Sequence, residues 1–92
     1  MTSVHCVVSG RVQGVWFRAW TRQQALELGL AGWVRNLADG SVETVAQGSE
    51  AAIQEFRQRL WQGSPGSHVV GVDCSEDRSA AADIFTDFTI RR

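Results

Sequence analysis

Two amphipathic helical stretches, each lying between strand-like runs, most restrict what this 92-residue chain can fold into. Residues 18–29 are rich in good helix formers, and Ser49 is placed to cap a second stretch whose apolar side chains recur at helical spacing as far as Trp61. The remaining apolar segments alternate with the period of a strand. The predicted strands are 4–9, 32–37, 41–48, 68–75 and 84–90, with a hairpin turn at 38–40 and a polar loop at 76–83.

This order is β-α-β-β-α-β with an additional strand at the C-terminus. It is typical of the α+β class and specifically of a ferredoxin-like α/β sandwich, in which two helices cover one face of a mostly antiparallel sheet. The length allows one hydrophobic core, and no linker or repeat divides the chain. We therefore expect a single domain over residues 1–92.

Charge and hydropathy exclude several function classes. The net charge of −1 provides no general basic field for nucleic acid or an anionic membrane surface. No apolar run reaches the roughly 18 residues that a membrane span needs. Residues 1–14 lack the pattern of a signal peptide, which favours a cytoplasmic location, and a monomer is the simplest state for this size and charge.

Cys6 and Cys74 both fall in predicted strands. A disulfide closing a long loop is one interpretation. The lack of an export signal favours the other, in which both are small buried side chains in a reducing compartment. No Cys-x-x-Cys pair and no His/Cys cluster has metal-ligand spacing, so no metal site is predicted. For the four tryptophans we expect packing in the core or between helix and sheet: Trp16, Trp20, Trp33 and Trp61.

The loop sequence GRVQGVWFR, from Gly10 to Arg18, carries the strongest chemical signal. Gly10 and Gly14 allow successive backbone N–H groups to turn inward before a helix, forming a nest that suits an anion of phosphate size. A plain tight turn is the alternative. Arg18 lies where the helix dipole disfavours a cation, which points to a compensating anion, unless the side chain is simply exposed. Asn36 could orient a water molecule or serve as a turn residue.

The same loop, with LGLAGWVRNLADGSVETVAQG at 28–48, GSP at 63–65 and FTIR at 88–91, resembles the acylphosphatase family over nearly the whole chain. One departure is the ending Arg91-Arg92, where many members have an aromatic residue. The resemblance implies hydrolysis of the carboxyl–phosphate bond of acyl phosphates without metal or cofactor. It also implies that Arg18 binds the phosphate, that Asn36 orients the attacking water, and that a backbone cradle is formed by Arg11, Val12, Gln13, Gly14 and Val15.

Such a mechanism needs no covalent nucleophile, because a carboxylate is already a good leaving group and positioning with charge stabilisation suffices. Two other functions stay open on the sequence. One is a binding module that keeps the anion without turning it over, and the other is an RNA-binding domain of similar topology, which the net charge disfavours. The physiological acyl group is not indicated by any motif.

Overall fold

The elements follow the predicted order. The computed structural model describes residues 1–76 and 84–91. The two helices are α1 (Phe17–Glu27) and α2 (Glu50–Gln62). The five strands are β1 (Thr2–Arg11), β2 (Ala31–Asn36), β3 (Val42–Gly48), β4 (His68–Glu76) and β5 (Phe88–Ile90).

The last strand is shorter than the alternation predicted. It begins at Phe88 rather than at residue 84, and it pairs with only three residues of β2, from Gly32 to Val34. Ile84 is 75% exposed, so the apolar side chain that suggested a longer strand has no core to face. The predicted loop at 76–83 lies, apart from Glu76 at the end of β4, outside the described residues.

The strands form one sheet in the order β4-β1-β3-β2-β5. All neighbours are antiparallel except β2 and β5, which are parallel, so the sheet is mixed and mostly antiparallel as predicted. Alternate residues of β1, Val4, Cys6 and Val8, enter the same core as Phe17 of α1 and residues of α2. Both helices therefore cover one face of the sheet, and the ferredoxin-like prediction is confirmed.

The two helices begin in different ways. Ser49 caps α2 as predicted, its hydroxyl accepting a hydrogen bond from the Ala52 amide at 3.2 Å. Helix α1 has no side-chain cap and no acidic residue in its first turn, and it is entered through Trp16 in a left-handed conformation. Among the described residues, no helix combines the length and apolar character required to cross a bilayer.

The second face of the sheet carries polar and aromatic side chains. The guanidinium groups of Arg35 and Arg91 lie 5.4 Å and 4.7 Å from the centre of the Trp33 ring. Burial raises the pKa of the Glu43 carboxyl, but hydrogen bonds with His5 and Arg35 outweigh it, so that the pKa lies below its ordinary value. Arg91 is thus docked on the sheet through a cation–π contact.

The expectation for the tryptophans holds for only one of the four. Trp20 packs against the core and contacts Phe17 at 5.3 Å between ring centres. Trp33 lies on the opposite face of the sheet, and Trp16 and Trp61 are exposed. The expectation failed because so small a fold has a single core. The largest side chains fully buried in that core are Phe17, Phe56 and Phe88, not tryptophans.

The expectation of two free thiols is wrong: Cys6 and Cys74 form a disulfide. The two residues stand directly opposite each other on β1 and β4, with their Cα atoms 4.1 Å apart. They are 68 positions apart in the sequence. Only the adjacency and register of β1 and β4 bring them together, and neither is visible in the local pattern around each cysteine.

Candidate functional site

The loop between β1 and α1 depends on two glycines with positive φ, as the sequence predicts. Gly10 has φ of 120° and Gly14 has φ of 75°. A Cβ atom at Gly10 would lie 2.2 Å from the carbonyl oxygen of His68, because β1 has an irregularity between Ser9 and Gly10 that brings it close to β4. Gly14 faces open space, so its need for glycine is purely conformational.

The backbone N–H groups of this loop divide into two sets. Arg11 still belongs to β1, opposite His68, and the Val12 amide donates to the Gly10 carbonyl at 3.1 Å. The amides of residues 13–16 have no acceptor within the described part of the chain, and they directly precede the first turn of α1. Free amides at a helix N-terminus carry partial positive charge and are suited to an anion.

Arg18 and Asn36 line one cavity of about 480 Å³, although they come from different elements. Arg18 is in the first turn of α1 and Asn36 is the last residue of β2. The other lining residues come mainly from the loop and the start of the helix: Val12, Gln13, Gly14, Trp16, Phe17, Ala19 and Ile90. The structure therefore places the two predicted chemical side chains at the same site.

Within residues 1–76 and 84–91, Arg18 has no ion-pair partner and the side-chain oxygen of Asn36 has no hydrogen-bond donor. The ion pairs of the described residues involve His5, Arg35 and Arg59, and none involves Arg18. The Oδ1 atom of Asn36 is buried and accepts no hydrogen bond from the described residues. Since a buried acceptor without a donor is costly, this atom is suited to bind a donor from a molecule in the cavity.

Gln13 has a role that the sequence did not suggest. Its side-chain Nε2 donates to the carbonyl oxygens of Leu37 at 2.8 Å and of Ser41 at 2.9 Å. Both acceptors belong to the turn between β2 and β3, directly after Asn36. Gln13 thus ties the loop to the hairpin that carries Asn36, across 24 and 28 positions of sequence, and no local signal could have revealed it.

The hairpin itself is held by Asp39. Its Oδ1 accepts hydrogen bonds from the hydroxyl and the amide of Ser41, which lower the pKa of the Asp39 carboxyl. The Leu37 amide donates to the Ser41 carbonyl at 2.8 Å and closes the turn. The position of Asn36 is therefore supported from both sides, by the β2–β3 ladder and by this turn.

The fold and the site together define a class: a ferredoxin-like sandwich in which the first strand–helix loop and the end of β2 share one cavity. The family model described as Acylphosphatase matches residues 4–90. The chain is 46% identical to an acylphosphatase of Methylococcus capsulatus, over all of this chain and 98% of that protein. It is 44% identical to acylphosphatase-1 of Gallus gallus, over all of this chain and 94% of that one.

Solved structures agree with these relatives. The crystal structure of acylphosphatase from Bacillus subtilis superposes with a TM-score of 0.94 at 40% identity and covers both chains completely. Full-length HypF, in a phosphate- and nucleotide-bound form, has a TM-score of 0.83 at 27% identity, over 99% of this chain and 12% of that chain. The chain belongs to the acylphosphatase family. The predicted family, fold and enzyme class are thereby confirmed.

Proposed function

We propose that the protein hydrolyses the carboxyl–phosphate bond of small acyl phosphates, with the phosphate held by Arg18 and the loop amides and the water oriented by Asn36. The single observation that carries this proposal is the shared cavity, where three groups without a partner among residues 1–76 and 84–91 converge: the Arg18 guanidinium, the loop amides and the buried Asn36 Oδ1. An anion such as inorganic phosphate would pair with Arg18 and the loop amides, and a water molecule would donate a hydrogen bond to Asn36 Oδ1.

The phosphate is bound by the positive charge of Arg18 and by N–H donors that point toward its oxygens. The guanidinium of Arg18 offers paired N–H donors that match two phosphate oxygens, and the amides of Gln13, Gly14 and Val15 add donors fixed by the loop. Within the cradle predicted from Arg11 to Val15, the Val12 amide is already used by the Gly10 carbonyl. With the phosphate bound, the partial positive charge at the start of α1 stabilises the negative phosphoryl group, and this attraction offsets its repulsion of the Arg18 guanidinium.

Hydrolysis follows as an in-line displacement at phosphorus. Asn36 Oδ1 accepts a hydrogen bond from the water, whose oxygen forms the new bond to phosphorus. The bond to the acyl oxygen breaks, the carboxylate leaves with the electron pair, and both protons of the water end on the released phosphate. Asn36 is neutral and takes no proton, so its contribution is positioning. The proposal requires no metal ion, and hydrolysis should persist in the presence of a chelator.

Steady-state hydrolysis of benzoyl phosphate tests the two roles separately. Arg18→Ala should lose nearly all activity together with inhibition by inorganic phosphate. Asn36→Ala should lose turnover and retain that inhibition. Arg57→Ala removes an exposed cation of α2, away from the cavity, and should behave as wild type. Wild-type rates in Arg18→Ala would contradict the mechanism.

The same assay decides between an enzyme and an anion-binding module. The similarity to a 12% segment of HypF shows that this fold also occurs within a longer protein. Binding of inorganic phosphate without hydrolysis of any acyl phosphate would assign the binding role. The presence of both Arg18 and the unpaired Asn36 Oδ1 in one cavity favours turnover.

We further propose that the protein works as a single-domain monomer in the cytoplasm. The chain forms one core around one sheet, which supports the single domain. Disulfides persist mainly under oxidising conditions, so a cytoplasmic location requires that the Cys6–Cys74 pair be reduced in the cell, and a pair found oxidised there would contradict this location. Sedimentation analysis tests the monomer, and cell fractionation tests the location.

A further inference from the structure

Trp16 adopts an arrangement that neither the fold nor the core requires. Its side chain is 85% exposed, and its backbone has φ of 60° and ψ of 23°. The left-handed region is strained for a bulky residue, and an exposed indole gains nothing from burial. A glycine would satisfy this backbone better, so the indole points to a role beyond folding.

Trp16 stands between two cavities. One is the cavity that contains Arg18 and Asn36. The other, which we call the side cavity, has a volume of about 370 Å³ and mostly apolar walls that include Val15, Trp20 and Pro65. Trp16 and Ala19 line both cavities, whereas Arg18 and Asn36 line only the first. The side cavity therefore lies next to the proposed phosphate site, and Trp16 and Ala19 form the wall that the two cavities share.

A buried hydroxyl in the side cavity also lacks a partner. Ser64 is only 6% exposed, lines the side cavity, and its Oγ makes no hydrogen bond within the described residues. The backbone carbonyl of Ser64 accepts hydrogen bonds from the amide and the hydroxyl of Ser67, so its side-chain hydroxyl is the group without a partner among the described residues. An unpaired hydroxyl among apolar walls is suited to a ligand that has an apolar body and one hydrogen-bonding atom.

The proposed chemistry gives this cavity an occupant. In an in-line displacement the leaving group departs opposite the attacking water. Asn36, which orients that water, lines the first cavity and not the side cavity, so an acyl group placed in the side cavity would lie next to the phosphate site without occupying the position of the water. We propose that the side cavity is an acyl subsite for flat, apolar acyl groups, with Trp16 as its contact face and Ser64 as a hydrogen-bond donor. This inference rests on the proposed hydrolase function.

The subsite should make aromatic acyl phosphates better substrates than acetyl phosphate, because an acetyl group has no ring to place against Trp16. Aromatic pairs contribute enough to change a specificity ratio about two- to tenfold. An acyl ring that carries a hydrogen-bond acceptor gains a further contact with Ser64.

The test compares kcat/KM for benzoyl phosphate and acetyl phosphate in wild type, Trp16→Gly and Trp16→Phe. Wild type should prefer benzoyl phosphate. Trp16→Gly should lower that preference about two- to tenfold, and Trp16→Phe, which keeps an aromatic ring, should retain most of it. Inhibition by inorganic phosphate is measured in both variants, so that a disturbed phosphate cradle is distinguished from a changed acyl preference. Trp16→Gly should also unfold at a temperature no lower than wild type, because glycine accepts the left-handed backbone.

A second comparison tests Ser64. Benzoyl phosphate with an acetyl substituent at ring position 3 or 4 should be preferred over benzoyl phosphate by wild type, and Ser64→Ala should remove the preference. An unchanged benzoyl-to-acetyl ratio in Trp16→Gly overturns the subsite, and so does a ratio that falls only together with the melting temperature. If wild type hydrolyses no acyl phosphate, the hydrolase function itself fails, a result distinct from hydrolysis without acyl preference.

Discussion

Replacing Gln13 with methionine removes the two hydrogen bonds that tie the β1–α1 loop to the β2–β3 turn while keeping an unbranched side chain of similar length. Gln13 Nε2 donates to Leu37 O at 2.8 Å and to Ser41 O at 2.9 Å. Each carbonyl keeps a second donor, the Gly40 amide for Leu37 and the Leu37 amide for Ser41. Neither carbonyl oxygen is therefore left without a hydrogen-bond donor in the variant.

These two hydrogen bonds set the expected loss in the free energy of unfolding. A typical hydrogen bond contributes about 0.5–1.5 kcal/mol net, so two bonds contribute about 1–3 kcal/mol, and the loss should lie in the lower part of that range, about 1–2 kcal/mol, because both acceptors stay satisfied. For a domain of this size that corresponds to a fall in Tm of roughly 5–15 °C. Gln13→Glu should cost more, because it places a carboxylate against two carbonyl oxygens.

Activity should fall further than stability suggests. Without the tie, the phosphate cradle and Asn36 are no longer held at a fixed distance, and a displacement of about 1 Å can reduce a rate on the order of a hundredfold. Thermal unfolding and kcat for benzoyl phosphate should be measured for Gln13→Met at a temperature where the variant is folded. A variant that melts with wild type and turns over at the wild-type rate would refute the positioning role.

Three further predictions concern stability. Reduction of the Cys6–Cys74 disulfide should lower the free energy of unfolding by about 4 kcal/mol from loop-closure entropy, measured by urea unfolding with and without reductant. The double variant Cys6→Ala, Cys74→Ala should not respond to reductant. Glu43 has a lowered pKa, so its contribution is present above the ordinary value of 4.5 and is lost as pH falls through the folded value. The stability difference between wild type and Glu43→Gln should therefore shrink on acidification, and a difference that grows would contradict the assignment. Gly10→Ala should destabilise by at least about 2 kcal/mol because the added methyl meets His68 O, whereas Gly66→Ala, also at positive φ but facing open space, should cost about 1 kcal/mol. Equal melting temperatures for these two variants would remove the steric argument.

Much of the fold follows from patterns that act over a few residues. The helical spacing after Ser49, the cap at that serine and the alternation in β1 each report local backbone preference, and the structure has α2 and β1 where they predict. The need for positive φ at Gly10 and Gly14 was readable for the same reason. Ile84 shows where such patterns fail. Alternating apolar residues form a strand only where a neighbouring strand is available to pair with them, and β5 begins at Phe88, beyond the exposed Ile84.

Residue type and short-range spacing are enough to predict the order of elements, an anion-binding loop and the two candidate side chains, Arg18 and Asn36. That these two share a cavity, that Gln13 joins their elements and that Cys6 lies opposite Cys74 is visible only in the folded chain. The physical reason is that strand order and register bring together residues tens of positions apart, and no local propensity encodes such contacts. The left-handed backbone and the exposed side chain of Trp16 are likewise seen only in the folded chain.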